Sequence, residues 1–235
     1  MNGKMKKTLL RMVSIVQESF SDLTRKNWLL SEVFQNYEEY HVDPKISLLT
    51  LLRTELIKDW IKPNSTVLDI GCGEGFTMEF LSKSKKCEVA GIDISQTAIQ
   101  KARLKGLKAK VRDIDQGLGL VNDEKYDYIL FIEVLEHVKY PHNALEEACH
   151  HANIGVIVTI PNSGYLKWRL HILRGYFPRQ TFTHLHFWTI NDFHIFLRQI
   201  GLKPIDLKTD LDGTFLKPLR NLLAYQQCWL IASKR

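Results

Sequence analysis

Val67-Leu68-Asp69-Ile70-Gly71-Cys72-Gly73-Glu74-Gly75 carries the reading of this chain. Its first residues form a short, mostly apolar run that ends at a turn, the pattern of a buried strand. The Gly-x-Gly-x-Gly that follows lets the backbone turn tightly. Gly71, Gly73 and Gly75 lack a Cβ, so a ligand can approach the main chain closely. A dinucleotide-binding turn spaces its glycines Gly-x-Gly-x-x-Gly, so that pyrophosphate rests on the next helix N-terminus. Here the third glycine comes one residue early, and Phe76 fills the slot it would occupy. That spacing argues against a nicotinamide dinucleotide, and the lack of a Walker lysine argues against ATP.

Outward from this turn, strand and helix patterns alternate. Thr66–Ile70 reads as the first strand and Phe76–Ser82 as a helix. Glu88–Ile92 is the second strand. Ser95 caps a helix that buries Ala98, Ile99 and Ala102 and ends at Gly106. Leu107–Val111 and Tyr126–Phe131 are the third and fourth strands. Pro141 opens a helix ending near Gly155, and Val156–Ile160 is a fully apolar fifth strand. Thr189 with Asp192 resembles a capping box, before a helix presenting Phe193, Phe196, Leu197 and Ile200. Two further strands fall near Lys203–Leu207 and Gln226–Ala232. The expected fold is an α/β, Rossmann-like, seven-stranded, mostly parallel sheet with helices on both faces. Such sheets bind ligands at the carboxyl ends of their strands, where the winding reverses. Upstream, Leu49, Leu52, Leu56 and Trp60 share one face of a helix that stops at Pro63-Asn64. Residues 1–43 read as a helical extension, residues 44–235 as the main domain, and 161–188 as an insertion.

Two more motifs follow strands. Gly91-Ile92-Asp93-Ile94-Ser95 places Asp93 about 20 residues after the glycines, where a ribose-binding acid belongs. Arg112-Asp113-Ile114-Asp115 follows the third strand. The Asp113 side chain can accept from an adenine amino group, and the Ile114 amide can donate to the ring. Taken together in this order, the three motifs resemble the class I methyltransferase family. Asp69 to Gly75, Cys72 included, matches its first motif. Asp93 and Ile94 match its ribose motif, and Asp113-Ile114 its adenine motif. The resemblance implies S-adenosylmethionine as cofactor, an antiparallel last strand, and a place for Glu74 near the methionine end of the cofactor.

After the fourth strand, Glu133, Glu136 and His137 stand at i, i+3 and i+4, so in a helix they would share one face. His137 suits a general base, because imidazole titrates near neutral pH. The trio also suits a divalent metal such as Mg or Mn. A third reading is a helix-start turn with solvated acids and a structural histidine. The Glu-x-x-Glu-His pattern resembles that of metal-assisted O-methyltransferases of ubiquinone biosynthesis and of small-RNA 2′-O-methylation. In the RNA enzymes a further histidine comes from a later segment. Here His184-Leu185-His186 is that segment, and the expected metal set is Glu133, Glu136, His137 and His186.

The connection from Pro161 to Trp188 is long, which marks it as functional. It interleaves Tyr165, Leu166, Trp168, Leu170, Ile172, Leu173, Tyr176 and Phe177 with Lys167, Arg169, Arg174 and Arg179. Such a segment can lie on anionic lipid, grip an acidic acceptor, or simply pack as a lid. Pro161-Asn162, Trp168-Arg169, Arg174-Gly175, His186 and Thr189–Phe193 are similar to MetW-type proteins of methionine biosynthesis. That likeness implies a bacterial cytosolic protein that activates a homoserine acyltransferase.

The net charge of +6 suits an acidic partner or substrate. No apolar run approaches the roughly 18 residues of a membrane span. Arg11 breaks the only apolar stretch near Lys4, Lys6 and Lys7, which argues against a signal peptide. Cys72, Cys87, Cys149 and Cys228 show no metal-type spacing and read as reduced thiols in a cytoplasmic protein. The favoured function is methyl transfer to an oxygen or nitrogen of a small-molecule acceptor. The alternatives are a cofactor-holding regulator of an acyltransferase and a metal-dependent RNA 2′-O-methyltransferase. The sequence does not set the oligomeric state.

Overall fold

The computed structural model describes residues 48–121, 123–177 and 183–234, with side chains from residue 53 onward. The expected helical extension over 1–43, its boundary with the main domain, Leu49, Leu52 and Arg179 in their side-chain roles all lie outside the described residues.

Helix α1 (Leu48–Ile57) passes through a 3-10 turn (Lys58–Trp60) into β1 (Thr66–Ile70), α2 (Phe76–Lys85), β2 (Glu88–Asp93), α3 (Gln96–Leu104) and β3 (Lys108–Val111). β4 (Tyr126–Ile132) leads to a 3-10 turn (Leu135–His137), α4 (Pro141–His151) and β5 (Ala152–Pro161). α5 (Leu166–Leu173), α6 (Ile190–Gln199), β6 (Pro204–Thr209), α7 (Arg220–Leu223) and β7 (Gln226–Ala232) complete the chain. The seven strands lie in the order β3-β2-β1-β4-β5-β7-β6, and only β7 runs antiparallel to its neighbours.

Helices cover both faces, and β4 shows it at single-residue resolution. Ile129 and Phe131 join one buried cluster with Leu145, Phe193 and Leu197. Tyr128 and Leu130 join the other with Met78, Leu81 and Ile99. A strand buried on both faces loses the polar alternation of a half-exposed one, which is why β1, β4 and β5 read as near-continuous apolar runs. Each such side chain withdrawn from water contributes roughly 1.5–3 kcal/mol.

Several boundaries differ from expectation. α4 ends at His151, and β5 begins at Ala152 rather than Val156, because the strand continues to pair with β4 as far back as Tyr126. Gly155 therefore sits inside the strand, where a Cβ would lie 2.8 Å from the Ile231 carbonyl oxygen of β7. It marks close backbone approach, not a helix end. The helix before β1 gives way to the 3-10 turn at Lys58, and Trp60 then donates from Nε1 to Asp206 at 2.9 Å. Lys208 lies over the Trp60 ring and donates to the Leu56 carbonyl at 3.1 Å. These contacts fasten the end of α1 to β6.

The winding reverses between β1 and β4, which neighbour each other but lead their helices in opposite directions along the sheet. The carboxyl ends of β1 and β4 therefore flank the crevice that such sheets use for ligands.

The expected capping box at α6 is present. The Thr189 hydroxyl accepts from the Asp192 amide at 3.1 Å, and the Asp192 carboxylate accepts from the Thr189 amide at 3.4 Å. Because α6 delivers Phe193 and Leu197 to the core, Thr189→Ala should destabilise the fold by about 1 kcal/mol. Urea unfolding should show a lower midpoint with an unchanged slope.

Candidate functional site

The first part of the site is the glycine turn between β1 and α2. Gly71 and Cys72 donate their amides to the Ile92 carbonyl at 2.8 and 3.0 Å, folding the turn over the end of β2. Gly71 has φ +70°, and a Cβ there would lie 2.3 Å from Val134 Cγ2. Gly75 caps α2 with φ +81°, and a Cβ there would lie 2.2 Å from Leu107 Cδ1. At both positions only glycine satisfies the backbone and the space together.

Two acids lie beneath this turn. Asp93 is buried and accepts from the Gly73 amide and the Ser95 amide, each at 2.8 Å. Asp69 is 2% exposed. Burial, and then the neighbouring charge of Asp93, push its carboxyl up to about 8. Burial likewise drives the Cys72 thiol upward, so that thiol stays protonated. Glu74 stands apart. Its carboxylate is held by Lys101 of α3 at 2.8 Å, and Lys105 donates to its carbonyl. Of the two acids in the first motif, Asp69 is the one buried beside Asp93, and Glu74 is the one paired with a lysine.

Ile94 is 45% exposed at the carboxyl end of β2 and offers an apolar face at the sheet edge. Asp113 accepts from the Asp115 amide at 3.0 Å and from Gln116 Nε2 at 2.9 Å. These bonds shape a 3-10 turn starting at Ile114. Asp113 and Ile114 thus close the β3 end of the same edge.

The second part of the site follows β4. Glu133, Glu136 and His137 do not share a helix face. Glu133 has φ +58°, a conformation rare for a side chain with a Cβ, and it precedes a 3-10 turn holding only Glu136 and His137. Glu133 is fixed from several directions. Its amide donates to the Thr159 carbonyl at 2.9 Å. Its carboxylate accepts from Arg53 at 2.8 Å, Gln226 at 2.5 Å and the Thr159 hydroxyl at 3.3 Å. Arg53 also donates to Gln226 at 3.1 Å.

Glu136 is in a different state. It is 1% exposed, and among the described residues neither carboxylate oxygen has a hydrogen-bond partner. Burial, and then the charge of Glu133, hold its carboxyl well above the usual carboxylate range. His184 places Nε2 4.0 Å from Glu136 Oε1, and its ring meets His137 edge-on with centroids 4.6 Å apart. One ligand atom each from Glu136, His137 and His184 lie within 4.8 Å of one another.

Both histidines are shifted toward the neutral form. Burial lowers His137. Burial, then His137 and Arg53, lower His184 to about 3. His137 Nδ1 lies 3.2 Å from the Thr183 carbonyl. A carbonyl can only accept, so Nδ1 carries the proton and Nε2 is the basic nitrogen. Two neutral imidazoles and a buried carboxylate with unpartnered oxygens form a donor set that fits a divalent ion.

His186, expected in that set, does something else. Its Nε2 donates to the Val138 carbonyl at 2.9 Å, and its ring stacks on Trp188 with centroids 5.0 Å apart. The amides of Leu185 and His186 donate to the Glu136 carbonyl at 2.7 and 3.1 Å. His186 is thus a pin that holds the loop, and its neighbour but one, His184, is the residue delivered to the cluster. The His-x-His signal was present in the sequence, but a strand would put both imidazoles on one face, and it is the irregular loop, with the Leu185 and His186 amides both on the Glu136 carbonyl, that gives the two rings different partners. Arg53, Thr159 and Gln226 gave no local signal, since Arg53 and Gln226 lie 80 and 93 residues from Glu133.

The segment after β5 begins with a buried Asn162, which accepts from the Gly164 amide and donates to the Ala224 carbonyl. α5 turns Trp168 and His171 inward. Leu166, Leu170 and Leu173 form an exposed stripe at i, i+4 and i+7, continued by exposed Tyr176 and Phe177. The apolar residues of this insertion therefore do not all pack on the domain. No described helix is long and apolar enough to cross a membrane.

Residues 53–215 match the family model described as methionine biosynthesis protein MetW. The ubiquinone biosynthesis O-methyltransferase of Hydrogenovibrio crunogenus is 29% identical over 196 residues, covering 77% of this chain and 79% of that protein. The mitochondrial ubiquinone biosynthesis O-methyltransferase of Candida albicans is also 29% identical, over 72% of this chain but 56% of that protein. Among solved structures, an S-adenosylmethionine-dependent methyltransferase from Thermotoga maritima superposes with a TM-score of 0.56 at 18% identity, covering 78% of this chain and 89% of that one. The last likeness concerns the fold alone. With the match spanning well over half of its length, the chain belongs to the MetW family, within the class I S-adenosylmethionine-dependent methyltransferases.

Proposed function

We propose that the protein moves the methyl group of S-adenosylmethionine to an oxygen of a small, quinol-type acceptor. The observation that carries this reading is the buried, unpartnered Glu136 carboxylate beside two neutral histidines at the reacting edge of the sheet. A purely structural turn has no reason to keep a carboxylate in that condition. The names of the relatives supply the acceptor class, and the edge-on pair of Tyr165 and Tyr225, 5.8 Å between centroids, offers aromatic surface close to it.

In this reading Asp93 and Ile94 hold the ribose, Asp113 and Ile114 the adenine, and Asp69 faces the cationic methionine end. Gly71, Cys72, Gly73 and Gly75 give the main chain of the cradle its close approach. Glu136, His137 and His184 would hold a divalent ion such as Mg or Mn. Such an ion supplies Lewis acidity that lowers the pKa of an acceptor hydroxyl. The protein's own work is alignment. The sulfonium is already a good leaving group, so fixing the acceptor oxygen in line with the methyl removes most of the remaining barrier.

The tautomer of His137 favours a second reading. With Nδ1 held by Thr183, Nε2 can take the acceptor proton directly without any ion. The regulatory role suggested by MetW kinship differs from both, because it requires cofactor binding with no turnover. An exposed apolar stripe flanked by Lys167, Arg169 and Arg174 supports contact with an anionic lipid surface, where a hydrophobic acceptor would reside.

Three measurements follow from these assignments. Turnover of S-adenosylmethionine with a catechol or quinol acceptor should rise on adding Mn²⁺. Glu136→Gln and His184→Ala should each lower the metal-dependent rate at least about tenfold while cofactor affinity stays unchanged. A rate insensitive to chelation but lost in His137→Ala selects the general-base reading, and absence of turnover with every acceptor selects the regulatory one.

Cofactor affinity should rise as the pH goes from 6 to 8. Asp69 is raised to about 8, so below that pH it is mainly protonated and must lose a proton to pair with a cation. The gain is at most about tenfold per pH unit, and Asp69→Asn should flatten it. Finally, the protein should sediment with phosphatidylglycerol vesicles and not with phosphatidylcholine ones, and Leu170→Asp with Leu173→Asp should release it.

A further inference from the structure

Within the second part of the site, the two glutamates have opposite fates. Glu136 has unpartnered oxygens, and Glu133, three residues earlier in the chain, has its oxygens occupied by Arg53, Gln226 and Thr159. Among the described residues Arg53 is the cation in that arrangement, and it comes from α1, outside the sheet. Its side chain is 15% exposed and that of Glu133 is 19% exposed, so the pair is partly shielded from water. The charge of Arg53 is felt by both Glu136 and His184. A dication at Glu136, His137 and His184 would therefore meet the repulsion of Arg53. It would also find Glu133, three residues before Glu136 and outside the three-group cluster, already held by Arg53.

We infer that Arg53 is a latch: it and a divalent ion compete for the Glu133 carboxylate, so that ion binding and the seating of α1 oppose each other. This rests on the divalent-ion reading proposed above. The left-handed backbone of Glu133 fits it. A residue held in a strained conformation by partners from α1, β5 and β7 reorients once one of those partners lets go. Coupling between the two events is reciprocal, since any factor by which α1 weakens the ion is the factor by which the ion loosens α1. Arg53 is accordingly a positioning residue, acting through Glu133 and not on the acceptor.

The test uses the full chain and Mn²⁺ alone, with binding followed by calorimetry and by the electron paramagnetic resonance of the free ion. Arg53→Gln should bind Mn²⁺ about tenfold or more tighter than wild type, because it removes a positive charge and frees a carboxylate. Most of that gain should vanish in Arg53→Gln combined with Glu133→Gln. An ordinary structural role for Arg53 gives the opposite sign, with weaker binding in the variant. In the wild type, saturating Mn²⁺ should speed amide exchange across residues 48–57, a measurement that needs no variant to fold. Tight Mn²⁺ binding by wild type with no gain in Arg53→Gln and no change in exchange overturns the latch alone. If neither wild type nor Arg53→Gln binds Mn²⁺, the divalent-ion reading falls and takes the latch with it.

Discussion

A carboxylate removed from water without a partner is costly, by several kcal/mol even after relaxation. Glu136 is in that position, and the surrounding structure is organised to keep it there. Its own carbonyl accepts two amides from the loop that carries His184, so the main chain of the residue fixes the group that faces its side chain. His137, next in sequence, is held by Thr183 from the same loop. The turn after β4 and the loop before α6 are thus locked together around a buried carboxyl group that has no hydrogen-bond partner among the described residues. A site like this is completed from outside, by a proton or by a cation.

The same logic operates on the other side of the crevice. Asp69 and Asp93 sit under the glycine turn, and their mutual repulsion adds to the desolvation of Asp69. Asp93 is compensated by two backbone amides, and Asp69 is the acid left raised. The two halves are not independent. Gly71 has no room for a Cβ because Val134 packs against it, and Val134 stands between Glu133 and Glu136. A shift of the glycine turn is therefore transmitted through direct packing to the turn after β4.

Much of this was legible in the sequence because it was local. The strand at Thr66–Ile70, the Ser95 cap and the Thr189–Asp192 box depend on residues within a few positions of one another, and each appears where the pattern puts it. Asp93 ends β2 where its strand pattern and its distance from the glycines put it. What the sequence could not give was the choice between chemically similar neighbours. His184 and His186 have the same side chain two residues apart, and only the register of the loop on the Glu136 carbonyl separates the one beside Glu136 and His137 from the one stacked on Trp188. The same holds for the helix expected at Glu133–His137, because spacing of i, i+3 and i+4 carries no information about a residue with positive φ. The start of β5 at Ala152 was hidden by Gly155, whose tolerance of close packing against β7 looks in sequence like a helix stop.

Arg53 lies at the limit of what sequence can disclose. It belongs to a helix whose pattern reports only an apolar face, and nothing nearby marks its partner. Yet it pairs directly with Glu133, while among the described residues neither Glu136 oxygen has a hydrogen-bond partner. One glutamate of the Glu-x-x-Glu pair is paired with a cation inside the fold, while the other has no hydrogen-bond partner among the described residues. Had both been neutralised, the edge would be inert. Had neither been, a buried carboxyl and a partly shielded one three residues apart would repel and raise one another further, as the effect of Glu133 on Glu136 already shows. The asymmetry lets the fold tolerate a second acid beside the first, and it makes α1, through a single guanidinium, part of the electrostatics of the reacting edge.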